Sequence, residues 1–281
     1  MEPQSEEIRD QQKESWNQFS TGWKKWDDLI MGFLKPFGDE IISMLKIKDD
    51  DVVLDIAAGT GEPGLTIASM LKGGKVISTD LAEGMLAVAR EKAERRGITN
   101  FETLVSDASQ LPFGDNTFDA VSCRFGFMFF PDMLQAAREM TRVLKPGGRI
   151  AASVWNVPEK NFWNTAIMGA ISKHIEIPQL PPGAPGMFRC AEAGLVPHLF
   201  RQAGLKNISE NEVNSKYNVG TADVYWNMMT EVGASIVAAL STADDEVKGR
   251  IRSEVFELLN QKYPEGKIAM DAGAWVISAE K

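Results

Sequence analysis

Residues 52–64 read VVLDIAAGTGEPG, an apolar run that ends on an acid and then breaks into three glycines. Val52, Val53, Leu54 and Ile56 are the side chains of a strand buried on both faces, as in a parallel sheet covered by helices on either side. Gly59, Gly61 and Gly64 allow a sharp turn and let the backbone approach a ligand with no Cβ in the way. The spacing Gly59-x-Gly61-x-x-Gly64 also satisfies the dinucleotide fingerprint, and Asp80 follows at the distance of a ribose-binding acid.

Asp55 separates the readings. It lies four residues before Gly59, where its carboxylate is expected to face the crevice at the carboxyl end of the strand. A fixed negative charge beside a pyrophosphate is unfavourable, whereas beside an ammonium or a sulfonium it stabilises. The expected ligand is therefore cationic.

Asp55-x-Ala57-x-Gly59-Thr60-Gly61 resembles the first motif of the class I S-adenosylmethionine-dependent methyltransferases, in particular the branch containing the ubiquinone/menaquinone-biosynthesis enzymes. The resemblance extends over roughly Asp51 to Trp155. It implies a doubly wound α/β fold with a mostly parallel seven-stranded sheet, S-adenosylmethionine as cofactor, and a small-molecule acceptor, with aromatic or quinone-like compounds among the candidates. It also implies that Asp55 anchors the methionine end of the cofactor through an intervening network. Ala57, Gly59, Thr60 and Gly61 belong to the same turn.

Composition is consistent with this. At 281 residues and 44% hydrophobic content the chain suffices for one α/β domain with additions. Its 30 basic and 39 acidic residues give a net charge of −9, which argues against a nucleic-acid partner. Two cysteines, Cys123 and Cys190, provide neither a disulfide framework nor a metal cluster. No apolar leader and no membrane-spanning run is present in the sequence, so a cytoplasmic enzyme is the expectation.

Residues before about Glu14 are expected to fray. Trp16, Phe19, Trp23, Trp26 and Ile30 recur at steps of three and four, a helical stripe that Gly22 can interrupt. That stripe either packs on the domain or forms a lid over the site, and residues 1–45 are assigned to this segment. The methyltransferase domain is expected over 46–281.

A helix follows the glycine turn, and a strand from Lys75 to Thr79 ends on Asp80. Asp80 is either a capping-box partner of Glu83 or the acceptor for both ribose hydroxyls of an adenosine, with Leu81 and Met85 in apolar contact with the adenine. After a third strand comes Asp107-Ala108, where Asp107 is either a helix N-cap or, as the resemblance implies, the acid that hydrogen-bonds the adenine amino group. A fourth strand, Ala120 to Cys123, leads to Arg124, whose guanidinium suits the cofactor carboxylate or an acidic substrate. Lys145-Pro146-Gly147-Gly148 is expected to stop a helix, and Arg149 to Trp155 to form strand five.

Beyond Trp155 the pattern gives a helix over Phe162 to His174, a proline-rich loop at 177–186 and a helix over Ala191 to Gln202. It continues with a strand to about Tyr217, helices over Val224 to Leu240 and Asp245 to Lys262, and a last strand near Ala274 to Ala279. Two antiparallel strands at the sheet edge would complete the resembled fold, with 156–203 and 221–265 as helical additions on the substrate side. Trp155, Trp163, Phe188 and Trp226 are candidates for an aromatic wall or for ordinary core. Neither His174 nor His198 falls in the cofactor core, and no catalytic base is assigned. The competing activities are a nicotinamide-dependent oxidoreductase, and a binding protein without turnover.

Overall fold

The computed structural model describes residues 3–178, 181 and 183–281. Seven strands form one sheet: β1 (Val52–Ile56), β2 (Lys75–Asp80), β3 (Phe101–Val105), β4 (Phe118–Arg124), β5 (Leu144–Trp155), β6 (Lys206–Gly220) and β7 (Ile268–Glu280). Their order is β3-β2-β1-β4-β5-β7-β6. β1 to β5 pair in parallel, whereas β7 runs antiparallel to both β5 and β6. The strand order reverses direction between β1 and β4, the switch point at which doubly wound sheets open a crevice beyond their carboxyl ends.

Alternation along the strands sends neighbouring side chains to opposite faces. Leu54, Ile56, Val121, Cys123, Ile150 and Ala152 enter the larger core cluster, while Val53, Ala120 and Ala151 join Ile67, Ala68 and Leu71 in the other. Helix α1 (Pro3–Lys25) and helix α2 (Asp27–Leu45) precede the sheet; α3 (Gly64–Met70) and α4 (Glu83–Arg95) link β1 to β2 and β2 to β3; α5 (Met133–Val143) precedes β5. Helix α2 contributes Ile30, Leu34 and Phe37 to one cluster and Ile41 and Leu45 to the other. Between β5 and β7 lie α6 (Phe162–Ile171), α7 (Leu195–Gln202), α8 (Ala222–Val232), α9 (Ala234–Ser241) and α10 (Asp245–Lys262).

Several expectations require correction. The segment before Glu14 is helical from Pro3, with Met1 and Glu2 outside the described residues. Arg9 within it lies 3.9 Å from Asp107, and the helix it begins is held further on by Asn17 and Lys24, which bind α4. The aromatic stripe spans two helices joined at Trp26, because Asp27 opens a new helix there. Gly22 breaks nothing; a Cβ on it would lie 2.4 Å from the Glu231 carbonyl oxygen, so it permits close approach to α8.

Residues 145–148 do not separate α5 from β5 as a stop. Leu144 already pairs with Phe118 and Arg149 with Ala120, so the four residues form an irregularity inside the strand. β6 continues past Tyr217 to Gly220, and β7 begins at Ile268, six residues before the expected Ala274, because the two strands pair along this added length. Gln179, Leu180 and Pro182 of the expected proline-rich loop lie outside the described residues.

Candidate cofactor and acceptor site

The ends of β1 and β4 meet at the switch point in unusual backbone conformations. Ala57 has φ 53°, Gly59 φ 53°, Gly61 φ 101° and Phe125 φ 57°. Such angles cost an L-residue about 1–2 kcal/mol, and strain of this kind is concentrated at sites where chain and ligand geometry matter more than local comfort. The turn is held by Ala58 N–H donating to the Thr79 carbonyl and Gly61 N–H donating to the Ala58 carbonyl. A Cβ on Gly59 would find only the Met85 methyl, at 4.0 Å, so space remains in front of the turn.

Asp55 lies beneath this turn, fully buried, and does not face an open crevice as the sequence led us to expect. Parallel register sets it between Ser78 and Ser122. The Ser122 hydroxyl donates to Asp55 Oδ1 at 2.6 Å, and the Gly64 N–H at the start of α3 donates to Oδ2 at 3.2 Å. Burial pushes the Asp55 pKa from 3.8 up to about 7, against the opposing pull of Ser122, Arg124 and Gly64. A side chain on Gly64 would press a Cβ to 2.7 Å from Asp55 Oδ2, which explains the glycine there.

Asp80 bridges the two cofactor-side turns. Its Oδ2 accepts from Gly59 N–H and its Oδ1 from Ala82 N–H, both at 2.9 Å. The capping box is absent: Ala82 is the N-cap of α4, and the Glu83 carboxylate pairs with Arg90. Burial raises the Asp80 pKa, with the Ala82, Gly59 and Leu81 amides opposing. Each carboxylate oxygen retains a lone pair for a further donor. Met85 is buried below Gly59, and Leu81 is half-buried beside it.

Asp107 caps no helix either; its Oδ1 accepts from the Ser109 amide and hydroxyl, both at 2.8 Å. Ala108 belongs to the core. Thr60 is buried and donates its hydroxyl to Asp27 Oδ1 at 3.0 Å.

Arg124, at the end of β4, reaches under α2. Its Nη2 lies 3.3 Å from Met31 Sδ, and its Cδ is 3.9 Å from where a Gly38 Cβ would stand. No carboxylate among the described residues forms an ion pair with it. Burial lowers its pKa, while the more distant Glu62, Asp55 and Asp27 pull it up. A half-buried guanidinium without a bonded anion is what a ligand carboxylate requires.

Next to it the aromatic residues form one cluster. Phe125 stacks on Trp155 with centroids 3.9 Å apart and planes 16° apart. Trp163 lies 5.0 Å from Trp155, and Phe33 of α2 is 5.6 Å from Trp163 and 6.1 Å from Trp155. Phe37 meets Phe125 at 5.3 Å. Trp155 and Trp163 thus come together as a wall, while Phe188 and Trp226 only pack against the main core. Phe33, Phe37 and Phe125 carried no sequence signal beyond their aromatic character. The two histidines lie elsewhere: His174 Nε2 contacts Glu254 at 2.5 Å, and His198 is exposed on α7.

The donor set fits S-adenosylmethionine: a positive-φ turn with room in front of it, a carboxylate with spare lone pairs at the second strand end, an unpaired guanidinium and a bordering aromatic floor. A sheet of this order with an antiparallel seventh strand, carrying this turn after β1, defines the Rossmann-like class of S-adenosylmethionine-dependent methyltransferases. Within that class the chain belongs to the ubiE/COQ5 methyltransferase family, whose pattern matches residues 11–173.

A demethylmenaquinone methyltransferase of Thermus thermophilus is 44% identical over 108 residues, 38% of this chain and 49% of that protein. The Bacillus subtilis protein of the same name is 29% identical over 210 residues, 68% of this chain and 88% of the relative. Against several of these curated relatives the chain spans about half of their length. A SAM-dependent methyltransferase from Aquifex aeolicus has a similar structure, with a TM-score of 0.51 at 25% identity over 69% of this chain and 91% of that one. Among the described residues no helix is long and apolar enough to cross a membrane.

Proposed function

We propose that the protein transfers a methyl group from S-adenosylmethionine to a small aromatic, quinone-like acceptor. The observation that carries this is the pairing of the strained turns at the ends of β1 and β4 with Arg124, a guanidinium that has no carboxylate bonded to it. The names of the relatives and the ring cluster around Trp155 both favour a flat aromatic acceptor.

When bound, the cofactor supplies an electrophilic methyl group and a neutral thioether leaving group. The chain's residues then have mainly to bind, align and exclude water, which is where intramolecular reactions gain most of their advantage. Ala57, Gly59, Thr60 and Gly61 receive the methionine end. Arg124 offers its guanidinium to the carboxylate there, and Asp55 supports the turn from below through Gly64. Asp80 uses its spare lone pairs for the ribose hydroxyls; Leu81, Met85 and Ala108 flank the adenine, and Asp107 lies at its amino edge. Phe33, Phe125, Trp155 and Trp163 orient the acceptor. Methylation at carbon, oxygen and nitrogen are all compatible with these residues.

The same proposal treats residues 1–45 as a lid on a domain of 46–281, with 156–203 and 221–265 as substrate-side additions, and the site of action as the cytoplasm. The test is calorimetry with S-adenosylhomocysteine, with NADH as control, followed by labelled methyl transfer to naphthoquinol, phenol and amine acceptors. Binding of NADH in preference to S-adenosylhomocysteine would refute the cofactor; transfer only to amines would refute the acceptor class.

A further inference from the structure

The first turn of α2 carries a buried ion pair that no step of the methyl transfer uses. Lys92, in the last turn of α4, is 1% exposed, and its Nζ lies 2.9 Å from the Asp27 carboxylate. A lysine this deep is expensive to keep charged, and burial lowers its pKa while Asp27 restores the charged form. Asp27 has a second partner: the Thr60 hydroxyl of the glycine turn donates to it at 3.0 Å. One carboxylate therefore ties three elements together, namely the start of α2, the cofactor turn and α4.

Neighbouring contacts run in the same direction. The Asn17 side chain of α1 accepts from the Gly84 N–H in the first turn of α4 at 2.8 Å. Glu62, two residues past Thr60, bonds Thr66 and pairs with Arg96 just beyond α4 at 2.5 Å. On the other side, Lys25 and Trp26 bond Glu231 of α8. The joint between α1 and α2 is fastened immediately beside the turn that receives the cofactor.

We infer that Asp27 is a positioning residue: through Thr60 it fixes the glycine turn, and through Lys92 it fixes the N-terminal helices, so that cofactor affinity and docking of these helices are one coupled event. This rests on the cofactor reading above. Asp27 itself touches neither cofactor nor acceptor in that reading. Its effect passes through Thr60, whose buried hydroxyl has a partner in the lid segment and leaves the front of the turn to the ligand.

Removing Asp27 alone would leave Lys92 buried without a counter-charge, which threatens the fold. The variants are therefore made in a Lys92→Met background: Asp27→Ala, Thr60→Val and both together. S-adenosylhomocysteine is titrated by calorimetry, melting is recorded, and hydrogen exchange is followed across residues 16–30.

Asp27→Ala with Lys92→Met should bind about tenfold more weakly than wild type, within the usual range of coupling between sites, and should lose protection over 16–30. Adding Thr60→Val should then weaken binding little further, because the bond it removes is already absent. Unchanged affinity with a lowered melting temperature would reduce the pair to a structural fastening and overturn the inference. Losses that multiply independently would do the same. Wild-type protein that binds no S-adenosylhomocysteine would instead remove the cofactor reading, and this inference with it.

Discussion

Asp55 should make the free protein less stable as the pH rises through neutrality, opposite to the behaviour of a carboxylate paired with a cation. Burial between β1 and α3 raises its pKa from 3.8 to about 7. The folded chain then holds this proton more tightly than the unfolded chain. The resulting stabilisation is complete below the unfolded pKa and is lost as pH climbs through the folded one. A difference of about three pKa units corresponds to about 4 kcal/mol in all, of which about 2 to 3 kcal/mol is lost between pH 5 and pH 8.

Asp55→Asn removes the titration while keeping an acceptor for Gly64 N–H and an amide for Ser122. Urea unfolding of both proteins at pH 5, 6, 7 and 8 isolates the effect, because every other titrating group cancels in the difference. The variant should gain on wild type by about 2 to 3 kcal/mol across that range. A difference that stays flat within about 0.5 kcal/mol, small against that linkage, would show that folded Asp55 is already ionised at pH 5 as it is in the unfolded chain, and the burial argument would fail.

Asp80→Ala should both lower the melting temperature and weaken S-adenosylhomocysteine binding, because it orphans the Gly59 and Ala82 amides at a cost of about 1–3 kcal/mol each; thermal unfolding and titration check the two effects separately. Arg124→Gln should weaken the same ligand by about tenfold, the scale of one charge-assisted bond, with little loss of stability because no ion pair is broken. An equal loss of affinity for decarboxylated S-adenosylhomocysteine would show that the guanidinium serves something other than the carboxylate. Trp155→Ala should cost about 3–5 kcal/mol in chemical unfolding, since a buried ring stacked on Phe125 leaves a large cavity.

The cofactor turn was legible because its information is local. A buried strand, glycines at fixed offsets and an acid at the next strand end all fall within residues 52–80, and the observed strands β1 and β2 match that reading. The antiparallel edge was legible through the family resemblance, which supplied the pairing direction for two late strand patterns. What sequence could not supply was the long-range part. Asp27 and Lys92 are 65 residues apart, and nothing around either distinguishes a buried pair from two solvated charges. The first helical turns of α1 looked too polar to fold because the helix is anchored from afar, at Asp107 through Arg9 and on α4 through Asn17 and Lys24. The capping-box alternative at Asp80 does not hold because its two oxygens take the Gly59 and Ala82 N–H groups and Glu83 turns to Arg90. Phe125 adopts a positive φ that no propensity favours, and only the meeting of β4 with Trp155 accounts for its placement.

The N-terminal helices depend on the end of the chain. Trp26 Nε1 bonds Glu231 across 205 residues, Gly32 lies against the Tyr217 ring, and α2 covers strands β6 and β7. These helices are made well before α8, β6 and β7, on which they pack. At about 5–20 residues per second the wait is roughly 10–40 s. Throughout that interval the side of this aromatic stretch that meets α8 stays uncovered, and the nascent chain gains from chaperone protection there. The cofactor turn and its bonds to Asp27 need nothing beyond Lys92, whereas the bonds of Lys25 and Trp26 to Glu231 wait for α8.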